Sequence, residues 1–210
     1  MNRTALILSS AAMVAFSGCS KTASDAGSDA TAATEDKSDK VVTAITPAES
    51  IDVGLAVGDQ APLASRVQGR NGETTLEQIL ENGPALFVFT RSVEWCPYCQ
   101  TQLKSINSIV GDLKDRGYSL YGLTYDSPDE QDRFSKNQML QYELLSDQPS
   151  AVIDAFGLRD PQYSEGRAAG VPYASVVAID QTGKVVAKSV SGDFKKRPSN
   201  DQILALIDAI

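Results

Sequence analysis

Two thiols three residues apart, in the stretch Trp95-Cys96-Pro97-Tyr98-Cys99, are the side chains of this chain best suited to chemistry. At that spacing they can close a small disulfide ring, so the pair can carry two electrons as thiols and give them up as a disulfide. The apolar run from Ala85 to Thr90 ahead of them reads as a strand, and a helical pattern begins near Gln100. With Cys96 as N-cap and Pro97 as the first helical residue, the proline loses nothing, because its missing N–H would have no partner in that turn. The Cys96 thiol then faces the amides of the first turn, that of Cys99 among them, and the positive end of the helix dipole. Both favour thiolate over thiol, which makes Cys96 the attacking sulfur and Cys99 the one that expels whatever Cys96 has captured.

Other uses of a cysteine pair fit less well. Zinc wants four ligands, and the chain has no histidine and a single further cysteine, Cys19. Covalent haem attachment would need a histidine after Cys99, where Gln100 stands. A purely structural disulfide remains open, although a loop this short restrains the unfolded chain little. No metal and no cofactor are expected.

The elements that must hold this pair occupy only part of the chain. A net charge of −8 over 210 residues gives no support to nucleic-acid binding, which wants a basic face. Residues 1–18 read as an export signal, with Arg3 ahead of an apolar stretch from Ala5 to Phe16. The segment Phe16-Ser17-Gly18-Cys19 resembles a bacterial lipobox, although Phe16 departs from its usual aliphatic residue. The resemblance implies lipidation of Cys19 and, with Ser20 following, an outer-membrane anchor with the domain facing the periplasm. The alternative is an ordinary secretory signal with Cys19 a spare thiol. Residues 19–50 are mostly Ser, Ala, Thr, Asp and Lys without an apolar period, the composition of a disordered tether. Residues 51–210 are the expected folded domain.

Within that domain, Gly69-Arg70-Asn71-Gly72 marks the turn of an N-terminal hairpin, and Thr75 opens a short helix. After the dithiol, Leu103, Ile106, Ile109, Val110 and Leu113 predict one helix stopped by Gly117. A strand from Tyr118 to Tyr125 follows, then a helix capped at Asp126-Ser127-Pro128, a short extended piece at Leu144–Asp147 and a short helix from Pro149 to Phe156. Two strands, Tyr173–Ile179 and Val185–Val190, flank the turn at Gln181–Lys184. A last helix is capped by Ser199 with Gln202 placed for a capping box. The alternation of strands and helices predicts parallel pairing by right-handed crossovers.

This order, the dithiol after the first inner strand, and Pro172 before an antiparallel strand resemble the thioredoxin fold. That implies a three-layer α/β/α sandwich around a mixed central sheet, with the N-terminal β-hairpin as an extension. Gly58–Pro62, Leu144–Asp147, Phe156-Gly157 and Val177–Gly183 are similar to the redoxin branch, the alkyl hydroperoxide reductase and thiol-specific antioxidant superfamily. The resemblance implies that Pro172 is a cis proline against the dithiol, that Val171 offers backbone groups to substrate, and that Trp95, Pro97 and Tyr98 support Cys96 and Cys99. It also exposes a departure. The peroxidases of that family place a threonine three residues before the reactive cysteine and add an arginine; here Val93 stands at that position, and Tyr173 and Ala174 follow Pro172. The sequence therefore favours a thiol-disulfide oxidoreductase working in the cell envelope on protein or small-molecule disulfides, resupplied by a thiol electron donor. A peroxidase with Cys96 peroxidatic and Cys99 resolving is the alternative, and a non-catalytic tethered module is a third.

Overall fold

The computed structural model describes a short backbone piece at Thr43–Ala44 and the residues from 49 to 210. The expected signal segment, Cys19 and most of the tether lie outside the described residues. Nine strands occur among those described: β1 (Thr43–Ala44), β2 (Arg66–Gly69), β3 (Gly72–Thr75), β4 (Ala85–Phe89), β5 (Ser119–Thr124), β6 (Glu143–Ser146), β7 (Ala174–Ile179), β8 (Val185–Ser191) and β9 (Lys196–Arg197). They are interleaved with six α-helices: α1 (Leu76–Leu80), α2 (Pro97–Ile106), α3 (Val110–Asp115), α4 (Pro128–Gln138), α5 (Ala151–Ala155) and α6 (Asn200–Asp208).

Seven strands form one mixed sheet in the order β3-β2-β6-β5-β4-β7-β8. At its centre β4 pairs parallel with β5 and antiparallel with β7, and β5 pairs parallel with β6. All five residues of β4 are buried, as expected of a central strand covered on both faces. Alternate residues feed two cores. Phe87 and Phe89 pack with Leu76, Ile153 and Phe156 on one face, whereas Leu86 and Val88 pack with Leu103, Ile106, Leu113 and Ile203 on the other. The result is the thioredoxin-like three-layer architecture, with α2, α3 and α6 together on the second face. The hairpin β2–β3 joins the sheet through the single pairing of Gln68 with Ser146.

Two expectations change. The helix foreseen from Gln100 to Gly117 is broken after Ile106 by a 3-10 turn over Asn107–Ile109. The cause is polar: the Asn107 amide donates to Met139 O at 3.3 Å and its Oδ1 accepts from Gln141 N–H at 2.7 Å, while Ser108 donates back to Ser105 O. Side chains that bond neighbouring backbone in this way compete with helix continuation. The tether, expected to be structureless through residue 50, is docked near its end: β1 runs parallel to β9, Ser50 bridges Ser191, and Glu49 pairs with Lys196. The two-residue strand β9 offers the edge that makes this possible.

Candidate active site

Cys96 is the N-cap of α2, with extended backbone and Pro97 in the first turn, and its Sγ accepts the Cys99 N–H at 3.3 Å. The two sulfurs are bonded to each other. Both cysteines are buried, Cys96 at 2% exposure and Cys99 at 0%, so exposure does not separate their roles. Their donors do. Cys96 faces the amide and the positive end of its helix, whereas Cys99 Sγ lies 3.2 Å from Nη2 of Arg197.

The loop that delivers Cys96 is held from both sides. The buried Asp126 carboxylate, at the end of β5, accepts the Ser92 hydroxyl at 2.7 Å, the Val93 N–H at 2.6 Å and the Thr124 hydroxyl at 2.8 Å. Ser92 Oγ in turn accepts the N–H groups of Glu94 and Trp95. From α2, the Gln100 amide donates to Val93 O at 2.7 Å and to Glu94 O at 3.2 Å. Burial pushes the Asp126 carboxyl up, against the hydrogen bonds from Ser92, Val93 and Thr124 that favour its charge.

Arginines and aromatic rings crowd the other side. Arg91, only 5% exposed, places its guanidinium 4.1 Å from the Phe194 ring centre, 4.2 Å from Tyr163 and 5.0 Å from Trp95. Burial pushes it down from the usual arginine range, opposed by Tyr163 and Asp160. Its Nε has no hydrogen-bond partner. Arg167 lies 5.0 Å from Trp95, whose indole N–H donates to Tyr125 Oη at 3.0 Å; the Tyr125 hydroxyl donates to Arg167 O. Tyr98 meets Phe194 edge-on at 5.6 Å. Arg91 is thus caged among aromatic rings.

Val171 and Pro172 are not arranged as expected. Val171–Pro172 is trans, and the cis bond among the described residues is Gln148–Pro149, ahead of α5. The trans bond lets this stretch pair with residues 158–160: Asp160 N–H donates to Val171 O at 2.9 Å, Tyr173 N–H donates to Leu158 O at 2.8 Å, and Arg159 bridges Pro172. Val171 N–H donates to Ala168 O, so both backbone groups of this fully buried residue are used internally and neither is offered to a substrate.

Sequence reasoning missed Arg197, Gln102 and Asp126. Arg197 donates through Nη1 to Thr90 Oγ1 at 2.9 Å and to Gln102 Oε1 at 2.6 Å, so a hydroxyl and a guanidinium do stand at the dithiol, but on the Cys99 side. The i, i+3 spacing of Cys99 and Gln102 put both on one helical face and was the one local signal available.

Comparison with known proteins agrees with this architecture. Peroxiredoxin Bcp of Escherichia coli is 26% identical over 150 residues, covering 71% of this chain and 94% of that protein. A putative peroxiredoxin of Mycobacterium tuberculosis is 25% identical over 132 residues, covering 63% and 83%. Among solved structures, peroxidoxin BcpB of Mycobacterium tuberculosis superposes with a TM-score of 0.62 at 21% identity, over 74% of this chain and 98% of that one. Peroxiredoxin Q of Xanthomonas campestris gives 0.61 at 21%, over 76% and 98%. The AhpC/TSA family model matches residues 57–188, more than half of the chain, and the chain belongs to the AhpC/TSA family.

Proposed function

We propose that this protein is a thiol-dependent peroxidase in which Cys96 reduces the peroxide and Cys99 resolves the product. The observation that carries the reading is the bonded pair at the start of α2, with Cys96 as N-cap, in a chain of the AhpC/TSA family. Family membership moves the balance away from the disulfide exchange that the sequence favoured. The Cys96 thiolate attacks one peroxide oxygen, the O–O bond breaks, and the departing alkoxide or hydroxide takes a proton. The resulting sulfenic acid is attacked at sulfur by the Cys99 thiolate; hydroxide leaves, is protonated to water, and the disulfide forms. An external thiol then returns two electrons by exchange. Replacing Cys96 by Ser should abolish peroxide consumption. Cys99→Ser should complete one turnover and stop as a sulfenic acid that reacts with dimedone; loss of peroxide at an undiminished rate in Cys96→Ser would sink the assignment.

Thiol-disulfide exchange is the second reading. It is favoured by Val93 at the place where the family's peroxidases carry threonine and by the packing of Arg91 among aromatic rings. We also propose that the protein is carried to the cell envelope and anchored through Cys19, on the strength of the lipobox resemblance. Labelled palmitate that fails to enter the full chain in a bacterial host would exclude the anchor.

A further inference from the structure

Among the described residues Arg197 is a fully buried guanidinium, one of the largest side chains so enclosed, and its hydrogen-bond partners include no anion. Its partners are the Phe194 carbonyl at 2.9 Å from Nε, Thr90 Oγ1, Gln102 Oε1 and Cys99 Sγ, all of them neutral while the disulfide is closed. A buried charge satisfied only by neutral acceptors is costly, and an anion formed against it offsets that cost. Of the described partners Cys99 is the one that can supply the counter-charge: when the disulfide opens, it becomes a thiolate beside Nη2. We infer that Arg197 is the positioning residue that stabilises the Cys99 thiolate, so that Cys99 is both the leaving sulfur when the pair is reduced and a pre-ionised nucleophile when it resolves Cys96. The inference rests on the reading of Cys96 and Cys99 as the working pair.

The surroundings fit this role. Thr90 at the end of the central strand and Gln102 one turn along α2 together occupy Nη1, and Phe194 O holds Nε, which leaves Nη2 aimed at sulfur. Arg197 is placed by β9, directly before α6, so its backbone is fixed by two elements. The nearby charges are Arg91, a like charge, and Asp201, an exposed carboxylate lining a cavity with Gln102 and Arg197; its field is screened by water. Burial, then the charge of Arg91, pushes Arg197 down to about 9, which leaves it charged at neutral pH. The residue also lies beyond the stretch 57–188 that the family model matches. In the reductive step, a donor thiolate bonds to Cys96 sulfur, the S–S bond breaks, and its electron pair stays on Cys99 without needing a proton at that moment. In the oxidative step the same thiolate attacks the sulfenic sulfur, and hydroxide departs.

The test is an ultraviolet titration of thiolate in the reduced full chain carrying Cys96→Ser and Cys19→Ala, in which Cys99 is the one remaining cysteine of the three. Cys99 should ionise well below the free-thiol value of about 8.5. Adding Arg197→Met should raise that value by a unit or more, a tenfold or greater loss of thiolate at a fixed pH, and Arg197→Lys should recover part of it. In the otherwise native protein, Arg197→Met should shift the exchange equilibrium with glutathione at least tenfold toward the disulfide. An ionisation at or above the ordinary value with Arg197 intact would overturn the inference, whether or not the Arg197 variants fold. Low ionisation with no peroxide turnover would instead overturn the peroxidase reading and leave this one standing.

Discussion

Cys96 owes its position to side chains that do no redox chemistry themselves, and Asp126 carries the most of that task. Its carboxylate accepts from Ser92, Val93 and Thr124, so an asparagine there would turn an amide NH2 toward groups that are already donating. Asp126→Asn should cost roughly 1–3 kcal/mol for the unsatisfied groups. The pH dependence has a definite sign. Because burial raises the folded-state pKa of Asp126 above its unfolded value, the site contributes fully below the unfolded range and loses stability as pH rises through the folded value. The variant has no such titration, so its deficit against the native protein should narrow as pH rises from about 4, the unfolded carboxylate value, through the raised folded value in urea unfolding. A deficit that widens over that range would contradict the direction assigned to Asp126. At this scale the two thiols were legible, because a dithiol at a strand-to-helix turn is a local pattern. Arg197, Gln102 and Thr90 were not: Arg197 meets Cys99, Thr90 and Gln102 across 98, 107 and 95 residues of chain, and only the folded sheet brings them together.

Helix α2 links the reactive end to the body of the protein. Its first turn carries Cys99 and its second carries Gln102 and Leu103; the last is wholly buried in the core built on Leu86 and Val88. Leu103→Ala should therefore lower stability by about 2–5 kcal/mol, checked by denaturant unfolding, and a loss under about 1 kcal/mol would mean that α2 is not seated as described. The order of strands and helices was readable because each long element has its own apolar period. The pieces that escaped are those without one. β1 and β9 have two residues each, too few to show alternation, and the break after Ile106 depends on Asn107 bonding to residues 139–141, which no local pattern reports. The cis expectation for Pro172 failed for a related reason: whether that bond is cis depends on what the neighbouring chain offers, and residues 158–160 offer a pairing edge that the trans form uses.

Over the whole molecule, a chain of net charge −8 gathers Arg91, Arg167 and Arg197 around one disulfide and its adjoining rings. Arg197 favours an anion on Cys99 while the chain as a whole is acidic. That combination suits a thiolate that must be present at neutral pH. Hydrogen peroxide is uncharged, so its reaction should depend on the state of Cys96 and little on steering by the acidic surface. Trp95 is the single tryptophan and directly precedes Cys96, which gives the molecule a built-in reporter. The most direct measurement is therefore stopped-flow Trp95 fluorescence of the reduced protein mixed with hydrogen peroxide. A peroxidase reacts orders of magnitude faster than an unassisted thiolate, with the rate linear in peroxide and the signal lost in Cys96→Ser. A rate no faster than that of an ordinary thiolate would contradict the peroxidase reading and return the protein to disulfide exchange.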